Sequence, residues 1–416
     1  MSQTKVFDAE LAKVAEEIKF DILAGVPEGE NELKRSQIAR TLISDTITVP
    51  TKEMYSYALL ASLGDDVYHE PSTAQVPKFA INALEAHVAK ITGKEAGLFM
   101  PSGTMSNQIG LRTHLMQPPY TILCDNRAHI YKYEVGGAGF HSGAAVTPVA
   151  PSNGHHLTLK DVEANIVYGP DVHFAPTEVI ALENTLNGTI FPQDDIIAIS
   201  EFARSKGIKM HLDGARIWHV AAETGMSLKT LLEPFDSASL CFSKGLGKCI
   251  ILHRQGAPIG SCLVGSTDYI RRARRIRKLF GGGMRQTGIL AGSAAYALTY
   301  NFPLLPRVHA LAHKLQSSFE EIGVTILSPA ETCMVFYDAS SIGSNYDEIA
   351  ERGAALSEPL FLGGSRVVLH IQTSEAAVDD FINLIATIAE EKRNAGFMKP
   401  ETQVNGHQDV YVRRVH

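Results

Sequence analysis

The chain has 416 residues, more than one hydrophobic core usually organises, so a large domain with a smaller companion is expected. Hydrophobic residues make up 45% and charged residues 20%, a balance that excludes a disordered chain, and no apolar run is long enough to span a membrane. The formal net charge of −7 gives no global attraction for nucleic acid.

Residues 1–40 are expected to form a helical extension. Their first stretch mixes acids with apolar residues and lacks the basic and apolar regions of a secretory signal, so a cytoplasmic location is expected. From about Gly97 to Gly265, short apolar or β-branched runs alternate with helical patterns, which predicts an α/β fold with a mainly parallel sheet covered by helices on both faces. Candidate strands are 97–100, 121–124, 178–182, 208–212, 238–242 and 259–264, with a helix over 196–205 among them. The run Arg271-Arg272-Ala273-Arg274-Arg275-Ile276-Arg277-Lys278 reads mostly as a solvated helix face. Past Gly281-Gly282-Gly283 a long helix leaves the sheet, and Pro303 and Pro306 mark a boundary. These signals assign 41–300 to the large domain and 301–393 to a smaller α+β domain with strands at 334–337 and 367–370 and a closing helix over 375–392. Residues 394–416 read as a tail. The five cysteines, Cys124, Cys241, Cys249, Cys262 and Cys333, form no C-x-x-C pair and read as reduced thiols, with no metal site.

Three strand ends carry chemistry, and open α/β sheets collect their ligands at such ends. The first strand runs into Pro101-Ser102-Gly103-Thr104, where backbone N–H groups and a hydroxyl converge at a helix start as in a phosphate cradle; alone such a segment is more often an ordinary N-cap turn. The strand over 208–212 delivers Asp213-Gly214-Ala215-Arg216, an acid followed by two residues too small to obstruct a flat ligand. The next gives Ser243-Lys244-Gly245-Leu246-Gly247, and a lysine at a sheet's inner edge is costly unless it is used. In this order they supply what pyridoxal 5'-phosphate requires: a phosphate anchor, an acid for the pyridine nitrogen and an amine for a Schiff base.

The segments Ser44-Asp45-Thr46, Gly64-Asp65-Asp66-Val67-Tyr68, Ser102-Gly103-Thr104, Ala128-His129-Ile130-Tyr131, Leu182-Glu183-Asn184-Thr185, Asp213-Gly214-Ala215-Arg216, Ser243-Lys244-Gly245 and Gly281-Gly282-Gly283-Met284-Arg285-Gln286 resemble the L-threonine aldolases of the β-eliminating-lyase group. The resemblance spans roughly Ser44 to His370. It implies the aspartate-aminotransferase-like fold, fold type I, with a seven-stranded large-domain sheet. It also implies active sites shared between subunits of a homodimer or homotetramer, and cleavage of L-threonine or L-allo-threonine to glycine and acetaldehyde. Carried over residue by residue, Lys244 would form the Schiff base, Asp213 would face the pyridine nitrogen, His129 would stack on the ring, and Gly103 and Thr104 would bind phosphate. Ser44, Arg216 and Arg366 would hold the amino-acid carboxylate, and Lys278 and Arg285 match basic positions near the cofactor or the subunit interface.

His173 is a candidate to take the substrate hydroxyl proton, with a structural role standing level beside it. Glu183 could orient groups around the ring or cap the next turn. The sequence departs from the family at Ile43, at Leu186, in the longer stretch after Tyr68, and most of all at Lys248–Gly256. That last insertion keeps an inactive relative open as an alternative, alongside an amino-acid racemase or β-eliminating lyase using the same cofactor.

Overall fold

A computed structural model describes residues 16, 18, 19, 27, 29–62, 64, 80–244 and 257–398. The insertion over 248–256, the stretch over 65–79 and the tail beyond 398 therefore lie outside the described residues. Two compact units are present, Met1–Gln37 and Ile38–His416. A helix spans Glu30–Ile38, and the elements that follow it belong to the second unit.

Seven strands form the larger sheet: β1 Ala96–Met100, β2 Thr121–Asp125, β3 Ala145–Val149, β4 Thr177–Glu183, β5 Lys209–Asp213, β6 Ser237–Cys241 and β7 Ser261–Gly265. Their spatial order is β1-β7-β6-β5-β4-β2-β3. β2 through β6 pair in parallel, whereas β7 is antiparallel to both β1 and β6. Two antiparallel steps restore direction, so β1 runs with the other strands and its C-terminal end opens on the same edge as those of β4, β5 and β6. β2 and β6 are buried along their whole length, as helices on both faces require. Among the expected strands, those six match these elements to within about two residues at each end. β3 was not expected. It is an edge strand, half exposed and holding Pro148, which an edge tolerates and a central strand does not.

Three more strands, β8 Thr325–Ser328, β9 Met334–Asp338 and β10 Arg366–Val368, form an antiparallel sheet in the order β10-β9-β8. Helices Leu305–Ile322 and Glu375–Asn394 pack together beside it, with Phe319 edge-on to Tyr337 and Phe381 at ring separations of 5.3 and 5.2 Å. The segment at 40–42 is laced into this region: Leu42 N donates to Phe361 O, Val368 N donates to Leu42 O, and His370 Nε2 lies 2.9 Å from Thr41 O. This lacing delivers the following residues, Ser44 and Asp45, to the larger sheet.

The basic run occupies helix Thr267–Leu279, and its expected solvated character holds only in part. Arg277 is 2% exposed and donates to Phe99 O at 2.7 Å, and Arg274 pairs with Glu85 at 2.8 Å. A long side chain can be buried where a carbonyl receives its guanidinium, and charge runs alone do not reveal which member does so.

Candidate active site

The register between β4 and β5 sets Glu183 directly opposite Asp213, and both strands end there. Above this edge lies a cavity of about 350 Å³ lined by Ser44, His129, Glu183, Arg216, Lys244 and Arg366, with Arg127, Tyr133 and Leu186 on its wall. Five residues expected at one site from positions as distant as 44 and 366 thus share one space. Lys244 reaches it from just beyond β6, three residues past Cys241.

Asp213 is buried beneath the cavity. One carboxylate oxygen accepts from Ala215 N at 3.0 Å and the other from Asn107 Nδ2 at 2.7 Å. Among the described residues no cation hydrogen-bonds to it. Asn107 also donates to Glu134 at 3.0 Å, Gln108 Nε2 donates to the other Glu134 oxygen at 2.5 Å, and Glu134 meets His129 Nδ1 at 2.8 Å. Burial works against a charged His129 ring, but the bond to Glu134 and the nearby Asp213 raise its pKa above the ordinary value. Behind Asn107, His211 lies 3.3 Å from its carbonyl oxygen and 2.8 Å from Ser237 Oγ; burial pushes this imidazole down to about 3, so it is neutral. Glu183 accepts from His129 N at 2.7 Å. Its burial, reinforced by the charge of Asp213, pushes its pKa up to about 8, so the carboxyl is mostly protonated at neutral pH.

On the opposite wall, Arg216 forks onto Asp45 through Nε and Nη2, both at 2.7 Å. Burial alone would raise the pKa of Asp45, but the guanidinium outweighs it and holds the carboxyl well below the usual range. The other edges of Arg216 are left to face the cavity. Ser44 caps the short turn Asp45–Ile47, accepting from Thr46 N at 3.3 Å.

Ser102 caps helix Gly103–His114 by accepting from Met105 N at 3.1 Å. A side chain at Gly103 would bring its Cβ to 2.5 Å from Cys241 Sγ, so the helix start and the end of β6 approach as only glycine permits. Gly103 and Thr104 do not line the 350 Å³ cavity. Neither do Lys278 and Arg285, which are exposed. His173 is 82% exposed, bonded to Asp171 at 2.8 Å, and is not brought to the cavity within one chain.

Glu134, Asn107 and Asp45 organise the site and were given no role from sequence. Asp45 stood inside a quoted motif and Asn107 three residues beyond Thr104, and only their partners at 216 and 213 reveal what they do. Glu134 follows His129 by five residues in a segment with no distinctive pattern.

A buried carboxylate served by neutral N–H donors suits a cationic N–H partner, and a lysine amine lines the adjoining cavity. This donor set fits a protonated pyridine ring carrying an aldehyde. Residues 41–341 match the family described as β-eliminating lyase. The chain is 45% identical to a low-specificity L-threonine aldolase of Candida albicans over 81% of this chain and 86% of that one. It is 35% identical to an alanine racemase of Cochliobolus carbonum over 83% and 86%. The fold superposes on a threonine aldolase structure from Leishmania major with a TM-score of 0.69 at 17% identity, covering 84% of this chain and 99% of that one.

Proposed function

The chain belongs to the β-eliminating lyase family, and from that premise we propose that it is a lyase that cleaves L-threonine and L-allo-threonine to glycine and acetaldehyde. It is a pyridoxal-phosphate enzyme of the aminotransferase-like fold. The observation that carries the reading is the convergence of Lys244, His129, Arg216 and Arg366 on one cavity directly above Asp213.

Lys244 would hold the cofactor through its amine and Asp213 would face the pyridine nitrogen. His129 would stack on the ring, and Gly103 and Thr104 would present N–H groups to the phosphate at their helix start. When bound, pyridoxal phosphate supplies an electron sink for the pair released as a bond at Cα breaks. The planar forks of Arg216 and Arg366, with the hydroxyl of Ser44, would grip the substrate carboxylate and so turn the Cα–Cβ bond toward cleavage. His129, rather than His173, would serve as base for the β-hydroxyl proton, since Glu134 fixes its Nδ1 and it lines the cavity. His173 serves only if subunit assembly brings it to a site. A homodimer or homotetramer with shared sites, in which Lys278 and Arg285 reach a neighbouring cavity, belongs to this reading. So do the division into 41–300 and 301–393 and a cytoplasmic location. Among the described residues no helix is long and apolar enough to cross a membrane.

The purified protein is expected to show a visible band near about 420 nm from the bound cofactor, lost in Lys244→Ala. It is also expected to release acetaldehyde from threonine. Because a racemase lies among its relatives, alanine racemisation is measured beside it. Brisk racemisation without acetaldehyde would replace the lyase assignment with that second reading.

A further inference from the structure

Behind the Asp45–Arg216 pair lies a chain of titratable groups that the proposed reaction does not use. His219 and Glu223 stand one turn apart on helix Ile217–Thr224, facing His309 on helix Leu305–Ile322. His219 Nδ1 is 2.8 Å from His309 Nε2, and His309 Nδ1 is 2.5 Å from Glu223 Oε2. Both histidines are almost fully buried, whereas Glu223 keeps 34% of its side chain exposed. At the inner end, one ring nitrogen of His219, a carboxylate oxygen of Asp45 and the Sγ of Cys333 lie within 4.8 Å of one another. Nδ1 is turned to His309, so Nε2 is the nitrogen left for that inner side, and it has no hydrogen-bond partner among the described residues.

The protons in this chain follow from its donors and acceptors. A carboxylate only accepts, so His309 Nδ1 donates to Glu223. Two imidazole lone pairs cannot face each other, so one proton sits between the rings. With His309 neutral, that proton belongs to His219 Nδ1, and a neutral His219 presents a bare Nε2 to Asp45. When His309 takes up a proton its Nε2 becomes the donor, His219 Nδ1 accepts, and the hydrogen of His219 moves to Nε2, facing Asp45. One proton entering beside the partly exposed Glu223 thus changes the inner nitrogen from acceptor to donor.

We infer that His219, His309 and Glu223 are positioning residues that govern how firmly Asp45 holds Arg216, and through it the grip on the substrate carboxylate. The inference rests on the assignment of Arg216 as that grip. With a bare Nε2 behind it, Asp45 is devoted to the guanidinium; with an N–H there, Asp45 is shared and the fork loosens. The groups facing His309 are Glu223, His219 and His313, and those facing His219 are His309, Asp45, Arg216 and Cys333. Cys333 keeps its proton, because burial pushes the thiol up to about 12. Burial lowers the pKa of His309 despite the opposing pull of Glu223, so the loosening falls on the acid side of an ordinary histidine.

The test measures KM and kcat for threonine, together with the calorimetric Kd of glycine, across the acid range in the holoenzyme. Wild-type KM and glycine Kd are expected to rise about fivefold as pH falls through the His309 transition, with the loss of part of one charge-assisted bond. In Glu223→Gln the rise should move to lower pH, because the carboxylate that favours the imidazolium is gone, while kcat is unchanged. In His309→Gln, which cannot take up the proton, the rise should vanish. If Arg216→Lys raises KM but the three profiles of wild type, Glu223→Gln and His309→Gln coincide, the relay is overturned and the carboxylate grip stands. If Arg216→Lys leaves KM unchanged, both are overturned.

Discussion

Two buried aspartates stand at the cavity, and they are kept in opposite ways. Asp45 is saturated by a bidentate guanidinium, whereas Asp213 accepts from an asparagine amide and a backbone N–H and from no cation among the described residues. Burial costs a carboxylate several kcal/mol unless a partner compensates, so the two must differ in what completes them. Asp45 is completed within the chain, and its work is to aim Arg216. In the proposed assignment Asp213 would be completed by the cofactor, and the neutral groups Asn107, His211 and Ser237 behind it offer no competing charge.

The contrast breaks most sharply at Asp213. Asp213→Ala is expected to lower kcat by roughly 100- to 1,000-fold, the scale of losing one preorganised electrostatic contact, while much of the visible cofactor band survives. Full activity in that variant would remove Asp213 from the ring.

Arg216→Lys keeps the charge but loses the fork, so KM for threonine should rise by about 10- to 100-fold with little change in kcat. Asp45→Ala leaves the guanidinium buried without its acid and should cost about 3–5 kcal/mol in denaturant unfolding, far more than an exposed pair would. The folded pKa of Asp45 lies below its ordinary 3.8, so its stabilisation is fully present above that pH and is lost as pH falls toward the folded value. A stability profile flat down to pH 2 would contradict this.

A smaller effect separates the histidine from both acids. Glu134→Gln removes the carboxylate that raises the pKa of His129, so the acid limb of kcat/KM should move to lower pH. An unmoved limb would take His129 out of the base role.

Glu183 distinguishes itself from Asp45 by the opposite pH dependence. Its folded pKa is raised from 4.5 to about 8, so the folded state holds a proton that the unfolded chain has released, and stability declines with rising pH across that window. Glu183→Gln should flatten this decline in thermal unfolding followed from pH 5 to pH 8. An equal slope in both proteins would show that Glu183 is already ionised.

Much of this arrangement was legible in the chain. Lys244, Asp213 and the strands that present them announce themselves because strand ends in open α/β sheets are marked by abrupt switches from apolar runs to small and charged residues. The edge strand β3, with Pro148, and the four-residue β8 lack such alternation. The completing partners were illegible for a different reason. Asn107 reaches Asp213 across 106 residues and Arg216 reaches Asp45 across 171, and no local period encodes such pairings. The reversed direction of β7 also leaves no trace in hydropathy, since a strand reads alike both ways.

That reversal bears on the insertion after Lys244. β6 and β7 are antiparallel neighbours, and their ladder continues past Cys241 and Ser261 into a bond from Phe242 N to Gly260 O at 3.0 Å. The connection between them is a hairpin with both feet already fastened, not a crossover whose span sets where the next strand can lie. Doubling the length of such a closed loop costs only about 0.6 kcal/mol in closure entropy. Residues can therefore be added between these two feet at little cost in closure entropy while the sheet keeps its register, even though the lysine stands at one of them.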